Sequence, residues 1–252
     1  MRKVHRRAWW WAVVGGLVLL AVHAVAPLTI AGWAAGATSL AASSALLSLG
    51  LRRRLAARLG AANAVTATRS MLVGVVTAMV ATSFSVPTSV PLLVAIAACA
   101  LALDAVDGFV ARHTGTASEL GARFDMEVDA FLILVLCAYD ARIVGWWVLS
   151  LGLLRYAFVA AAWLLPWMAV PLPPRYWRKV VAAATGIVLT AIAAELLPVI
   201  VAVVLAAAAL ALLLESFGRD VVWLARMNRT TSDLVSSSRA VRRSGPEESR
   251  PT

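Results

Sequence analysis

Four aspartates, Asp104, Asp107, Asp125 and Asp129, carry the chemistry most visible in this chain, because the 103 residues before them contain no acid at all. Seven of the 13 acidic residues fall between positions 104 and 140: these four, Glu119, Glu127 and Asp140. Asp104 and Asp107 are three apart and Asp125 and Asp129 four apart, so each pair shares one helix face. If the two helices form an antiparallel hairpin, all four carboxylates converge. Gathered together they repel one another, and a bound cation resolves the repulsion. Oxygen donors without His or Cys select Mg²⁺ or Mn²⁺, and four carboxylates suffice for two ions bridged about 3.5–4 Å apart. Solvation by headgroups at helix ends is the opposing reading, and it suits Glu119 and Asp140. It suits the four aspartates poorly, since an Asp at the centre of a membrane helix costs about 2.5–3.5 kcal/mol to insert. Glu127, on the opposite helix face from the neighbouring aspartates, is expected to pair with Arg123.

The elements that position these acids are membrane helices. Of the 252 residues, 62% are hydrophobic and only 14% charged, far from a soluble average. Stretches long enough to cross a bilayer fall near 8–26, 28–50, 63–84, 88–111, 121–139, 143–165, 178–197 and 198–216, which predicts an all-α bundle of about eight spans. With the N-terminus in the cytoplasm, 21 of the 23 Lys and Arg residues lie on the cytoplasmic side, leaving Arg142 outside and Arg155 inside a span. Both termini and the aspartates are thereby assigned to the cytoplasmic side of the plasma membrane. The net charge of +10 does not point to nucleic acid, because the cations sit at span ends and suit anionic lipid. Cys99 and Cys137 lie in apolar runs without metal-ligand spacing and are expected to be small buried hydrophobes. A basic start followed by an apolar run and Ala24-Val25-Ala26 has the pattern of a secretory signal, but Pro27 opposes cleavage. LRRRLAARLG, from Leu51, reads as a helix lying in the membrane surface, and residues 217–227 as a second. From about Asn228 the Ser, Thr, Arg and Pro content predicts a disordered basic tail.

The run LDAVDGFVARHTGTASELGARFDMEVD reads Asp-x-x-Asp-Gly-x-x-Ala-Arg, eight residues, then Gly-x-x-x-Asp-x-x-x-Asp. It resembles the signature of the CDP-alcohol phosphatidyltransferase family at every fixed position: Asp104, Asp107, Gly108, Ala111, Arg112, Gly121, Asp125 and Asp129. A weaker similarity is Asn63-Ala64-Val65-Thr66-Ala67-Thr68-Arg69, which is like an Asn-x-x-Thr-x-x-Arg segment of the first family helix, with Ala62 where Pro is frequent. Independently of the resemblance, Gly108 and Gly121 permit either a ligand or another helix to come close. Arg112 offers a donor fork suited to phosphate, or is one more cytoplasmic cation.

The resemblance implies a six-helix core over residues 63–216, with residues 1–50 as a two-helix membrane extension, 51–62 as an interfacial helix and 217–252 as an interfacial helix and tail. It implies transfer from a CDP-linked donor, commonly CDP-diacylglycerol, to a small hydroxyl acceptor with release of CMP. By that analogy Asp104, Asp107 and Asp125 are metal ligands, and Asp129 is a ligand and the general base. Gly108, Ala111, Arg112 and Gly121, with Asn63 and Thr66, would line the CDP site. The family resemblance also admits a homodimer. Arg155, expensive inside a span, and Arg123 are candidates for binding a phosphate on the acceptor. Two other functions use the same acids: a divalent-cation transporter, which leaves Arg112 and the glycines unexplained, and an aspartate-rich membrane prenyltransferase, whose acidic motifs are farther apart than the 17 residues between Asp107 and Asp125.

Overall fold

Prolines and one glycine divide the apolar chain into its helices. The computed structural model describes residues 2–53, 61–114, 119–170 and 175–243, with side chains over 13–46, 65, 67–104, 124–168, 170 and 175–228. Among the described residues there are eight α-helices and no strand: α1 Arg2–Val25, α2 Ile30–Arg53, α3 Ala61–Ser83, α4 Val90–Thr114, α5 Glu119–Val144, α6 Leu149–Leu164, α7 Tyr176–Ala193 and α8 Val199–Arg243. Pro27 separates α1 from α2, and Pro87 lies between α3 and α4, because proline lacks the N–H that a continuing helix needs. α5 ends on Gly145 at φ 99°, a conformation that costs glycine little. α6 ends where Leu165 turns extended, at φ −120° and ψ 96°, as a residue before proline prefers.

Three helical stretches are long and apolar enough to cross a membrane by their described residues: Trp146–Leu164, Tyr176–Ala193 and Val199–Asn228. Val13–Val25, Ala67–Ser83 and Val90–Asp104 are shorter apolar stretches. The helix number agrees with the expected bundle, while only these three qualify outright as spans.

At the centre of the bundle is α3, which packs against α1, α2, α4 and α5. Val73, Val75, Val76, Ala78 and Met79 on it are all sealed from solvent. The approach of α2 depends on small residues. A Cβ on Gly36 would lie 2.9 Å from the Ala78 Cβ and 3.3 Å from the Gly74 carbonyl, and one on Gly32 would lie 2.7 Å from the Ala78 carbonyl. Gly32 and Gly36 are four apart and so share a face, the small-x-x-x-small arrangement that lets membrane helices meet closely. The N-terminal helices are therefore packed into the core rather than hung from it.

The turns opposite the aspartates are tied together by side chains. Thr29 N–H donates to Thr82 Oγ1 at 3.3 Å, Arg142 Nη1 donates to the Ser83 carbonyl at 3.0 Å, and Tyr139 Oη donates to Glu195 Oε1 at 2.7 Å. Glu195 stands at φ 58°, rare for a residue with a Cβ, and the Tyr139 bond helps to hold it there.

Three sequence expectations are corrected, and a fourth falls mostly outside the described residues. Asp140 is not solvated at a helix end: it is fully buried, on the same inner face of α5 as Leu132 and Leu136, and neither carboxylate oxygen has a hydrogen-bond partner among the described residues. Cys99 is exposed, because the inner face of α4 is set by Leu93, Ala97 and Ala100; Cys137 is buried as expected. The predicted break near residue 217 and the disordered tail from Asn228 are replaced by one helix, α8, through Arg243, since no proline interrupts it before Pro246. Of the expected interfacial helix, 51–62, residues 51–53 continue α2 and Ala61 and Ala62 begin α3, while 54–60 lie outside the described residues.

Two outcomes follow for the purified or membrane-embedded protein. Gly36→Val should lower thermal stability by about 1–3 kcal/mol through overpacking against α3, whereas Gly16→Val should be near neutral because nothing lies within 4 Å of where its Cβ would stand; unfolding in detergent reads both. Single cysteines at Ser85 and Leu196, in a background free of Cys99 and Cys137, should be labelled from outside intact cells, and one at Tyr176 should not. Labelling at Tyr176 would reverse the orientation drawn from the cation count.

Candidate metal and active site

The carboxylates meet around one arginine. Arg69 enters from α3, Asp104 from α4, and Asp125 and Asp129 from successive turns of α5. Arg69 lies eight residues into α3, and Asp129 ten residues into α5, so the site is recessed about 12–15 Å from the helix ends at 1.5 Å per residue. Arg69 Nη1 donates to Asp104 Oδ1, while Nη2 is 2.7 Å from Asp125 Oδ1 and 2.8 Å from Asp129 Oδ1. Nη2 also donates to the Asp125 backbone carbonyl at 3.0 Å.

Burial is uneven across the cluster. The Arg69 side chain is 1% exposed, against 37%, 29% and 30% for Asp104, Asp125 and Asp129. The arginine is thus buried behind acids that each keep about a third of their side chain exposed. One oxygen from each acid can be chosen so that all three lie within 4.8 Å of one another. Three carboxylates against one guanidinium leave a formal charge of −2, concentrated on hard oxygen donors. That donor set fits Mg²⁺ or Mn²⁺ and offers no soft ligand to a thiophilic metal.

The structure brings three of the four signature aspartates together. The helix backbone carries Asp107, Gly108, Ala111 and Arg112 on α4, Gly121 and Arg123 on α5, and Asn63 and Thr66 on α3; their side chains lie outside the described residues. Arg155 of α6 pairs with Glu127 of α5, so Glu127 is bridged across helices; the side chain of Arg123, the local partner expected for it, lies outside the described residues. The packing of α6 on α5 presents this cation to Glu127.

A second charged region forms where α7 begins beside α8. Asp220, almost wholly buried, lies 3.3 Å from Arg178 and 3.7 Å from Arg175. Trp177 Nε1 donates to Glu215 Oε2 at 3.1 Å, and Arg219 pairs with Glu215 one turn along α8. Beside them a groove of about 340 Å³ is lined by Arg175, Arg219, Val222, Trp223 and Arg226.

Two of these residues escaped the sequence reading. Arg69 was visible there only as the end of a weak motif and as one cytoplasmic cation among many, although a lone arginine within an apolar helix was a usable signal. Asp220 lay in a segment read as surface helix, and nothing in its neighbours marked it for burial.

Against known proteins, the family model described as CDP-alcohol phosphatidyltransferase matches residues 59–214, well over half of the chain and including every residue of the carboxylate cluster. The match leaves α1 and α2 outside it. Comparison with curated proteins and with solved structures gave no match.

If the three converging acids are ligands, Asn at Asp104, Asp125 or Asp129 should weaken Mn²⁺ binding by about tenfold or more with helix content unchanged, because each removes a charged oxygen donor. Calorimetric titration checks this, and wild-type affinity in two of the three variants would exclude these acids as the ligand set.

Proposed function

Because the chain belongs to the CDP-alcohol phosphatidyltransferase family, we propose that it transfers a phosphatidyl or similar phospho-alcohol group from a CDP-activated donor, CDP-diacylglycerol by preference, to an acceptor hydroxyl, releasing CMP in phospholipid synthesis. The observation that carries this reading is the convergence of Asp104, Asp125 and Asp129, each partly exposed. Membership of the family implies the CDP-alcohol donor and a hydroxyl acceptor in a membrane protein; the particular donor, the ions and the residue roles are our assignments.

In this reaction the acceptor oxygen forms a bond to the phosphorus distal to cytidine, and the bond from that phosphorus to the bridging oxygen of CMP breaks. Asp129 is assigned the proton of the attacking hydroxyl from its place in the motif, with its carboxylate partly exposed beside the other acids. Asp104, Asp125, Asp129 and, by the motif, Asp107 would hold Mg²⁺ or Mn²⁺, two ions by our count of donors. Bound there, the ions would neutralise charge developing on the diphosphate. Gly108, Ala111, Arg112 and Gly121, with Asn63 and Thr66, are assigned to the cytidine and diphosphate. We assign the aspartates to the side that the cation count makes cytoplasmic, where the nucleotide is soluble, in a chain of the plasma membrane. The transporter and prenyltransferase readings do not account for a family match that spans residues 59–214.

The acceptor is read from cations. Arg155 keeps 29% of its side chain exposed while paired with Glu127, and the groove beside Trp223 is walled by three arginines, Arg175, Arg219 and Arg226. With Arg123 on the same side, these favour an acceptor that itself carries phosphate.

Purified protein given CDP-diacylglycerol and Mn²⁺ should release CMP when offered glycerol phosphate or inositol phosphate, and far less with inositol, serine or a choline-type alcohol. Arg219→Ala and Arg155→Ala should raise the acceptor KM by roughly 10- to 150-fold, the worth of a charge-assisted contact, with the donor KM little changed. Turnover with neutral acceptors alone would remove the phosphate reading. A joint fall of metal, donor and acceptor affinity in Arg155→Ala would assign that residue to Glu127 instead.

A further inference from the structure

We infer that Arg69 is the resident counter-cation of the carboxylate cluster, holding the acid oxygens that a divalent ion must take, so that metal loading displaces its guanidinium and Arg69 sets the metal affinity. The inference rests on the metal reading of Asp104, Asp125 and Asp129 given above.

The geometry makes guanidinium and ion competitors. The oxygens that Arg69 engages on Asp104, at 2.7 Å on Asp125 and at 2.8 Å on Asp129 belong to the same three acids that converge as a candidate ligand set. Mg²⁺ or Mn²⁺ needs carboxylate oxygens at about 2.0–2.2 Å and draws them inward, which leaves no room for two nitrogen donors lying between them. Burial makes the competition costly on both sides. Arg69 is 0% exposed, so it has no water to fall back on when its partners are taken.

Retreat of the whole helix is not available to relieve it. α3 is enclosed by α1, α2, α4 and α5, and Gly36 of α2 sits against Gly74 and Ala78, so Arg69 must yield by side-chain rotation. Its Nε is buried without a hydrogen-bond partner among the described residues, so the fork is not fully satisfied where it stands. Arg69 is in this account a switchable counter-ion, distinct from a static brace that would hold the acids ready for metal.

The two roles predict opposite signs. In the EDTA-stripped, detergent-purified full chain, Arg69→Gln should bind Mn²⁺ about tenfold tighter than wild type, because a competing charge is gone, and Arg69→Lys should fall between. Thermal unfolding should show metal-free Arg69→Gln below wild type, with the gap closing at saturating Mn²⁺. Recovery of a poorly folded Arg69→Gln by Mn²⁺ alone would equally support exchange of one counter-charge for another. Unchanged or weaker Mn²⁺ binding in Arg69→Gln, or in Arg69→Lys should Gln not fold with Mn²⁺ present, would overturn the inference while wild-type binding upholds the metal reading. Absence of Mn²⁺ binding by wild type would overturn both.

Discussion

Three carboxylates brought within 4.8 Å of one another inside a helix bundle are unstable unless positive charge lies among them. Arg69 supplies that charge in this structure, from a helix other than those bearing the acids, and much of the bundle is arranged around the resulting contact. The antiparallel passage of α4 and α5 brings Asp104 to the same depth as Asp125 and Asp129. α3 must then run beside both at a depth that puts Arg69 between them. A guanidinium suits this place better than an ammonium, because its planar fork reaches three acids on two helices with fixed geometry.

The depth of α3 is set by contacts far from any acid. Gly32, Gly36 and Gly74 allow α2 to lie directly on it, and in a membrane such close approach gains packing that lipid cannot match. Leu40 fills the space beside Gly74, with its Cδ2 3.0 Å from where a Cβ would be. The two helices outside the family match are in this way continuous with the core that holds the site. Their packing gives them a structural reason to be present.

The two ends of the bundle have different characters. On the side away from the aspartates, the turns are closed by hydrogen bonds from Thr29, Tyr139 and Arg142, and the Arg142 guanidinium lies 4.2 Å from the Tyr139 ring centre, within cation–π range. Asp140 is sealed in at this end and serves no open surface. The aspartate side is partly exposed and carries further ion pairs, Glu127 with Arg155 and Asp220 with Arg175 and Arg178.

Much of this was legible before any coordinates, because the signals are short in range. Acid spacing of three and four residues names the helix faces, apolar length names the helices, and fixed motif spacing names Asp104, Asp125 and Asp129 as partners. Burial of Asp140, exposure of Cys99 and the pairing of Glu127 with Arg155 depend on which helix lies across the way, and no local pattern encodes that. The run of α8 through residues read as disordered shows the converse limit, since Ser, Thr and Arg are compatible with helix and composition alone cannot forbid it. Arg69 marks the boundary most sharply. Its sequence shows a cation near the start of an apolar helix, and only the meeting of α3, α4 and α5 makes it the partner of three acids 35, 56 and 60 residues away, because ion pairing depends on distance in space and not along the chain.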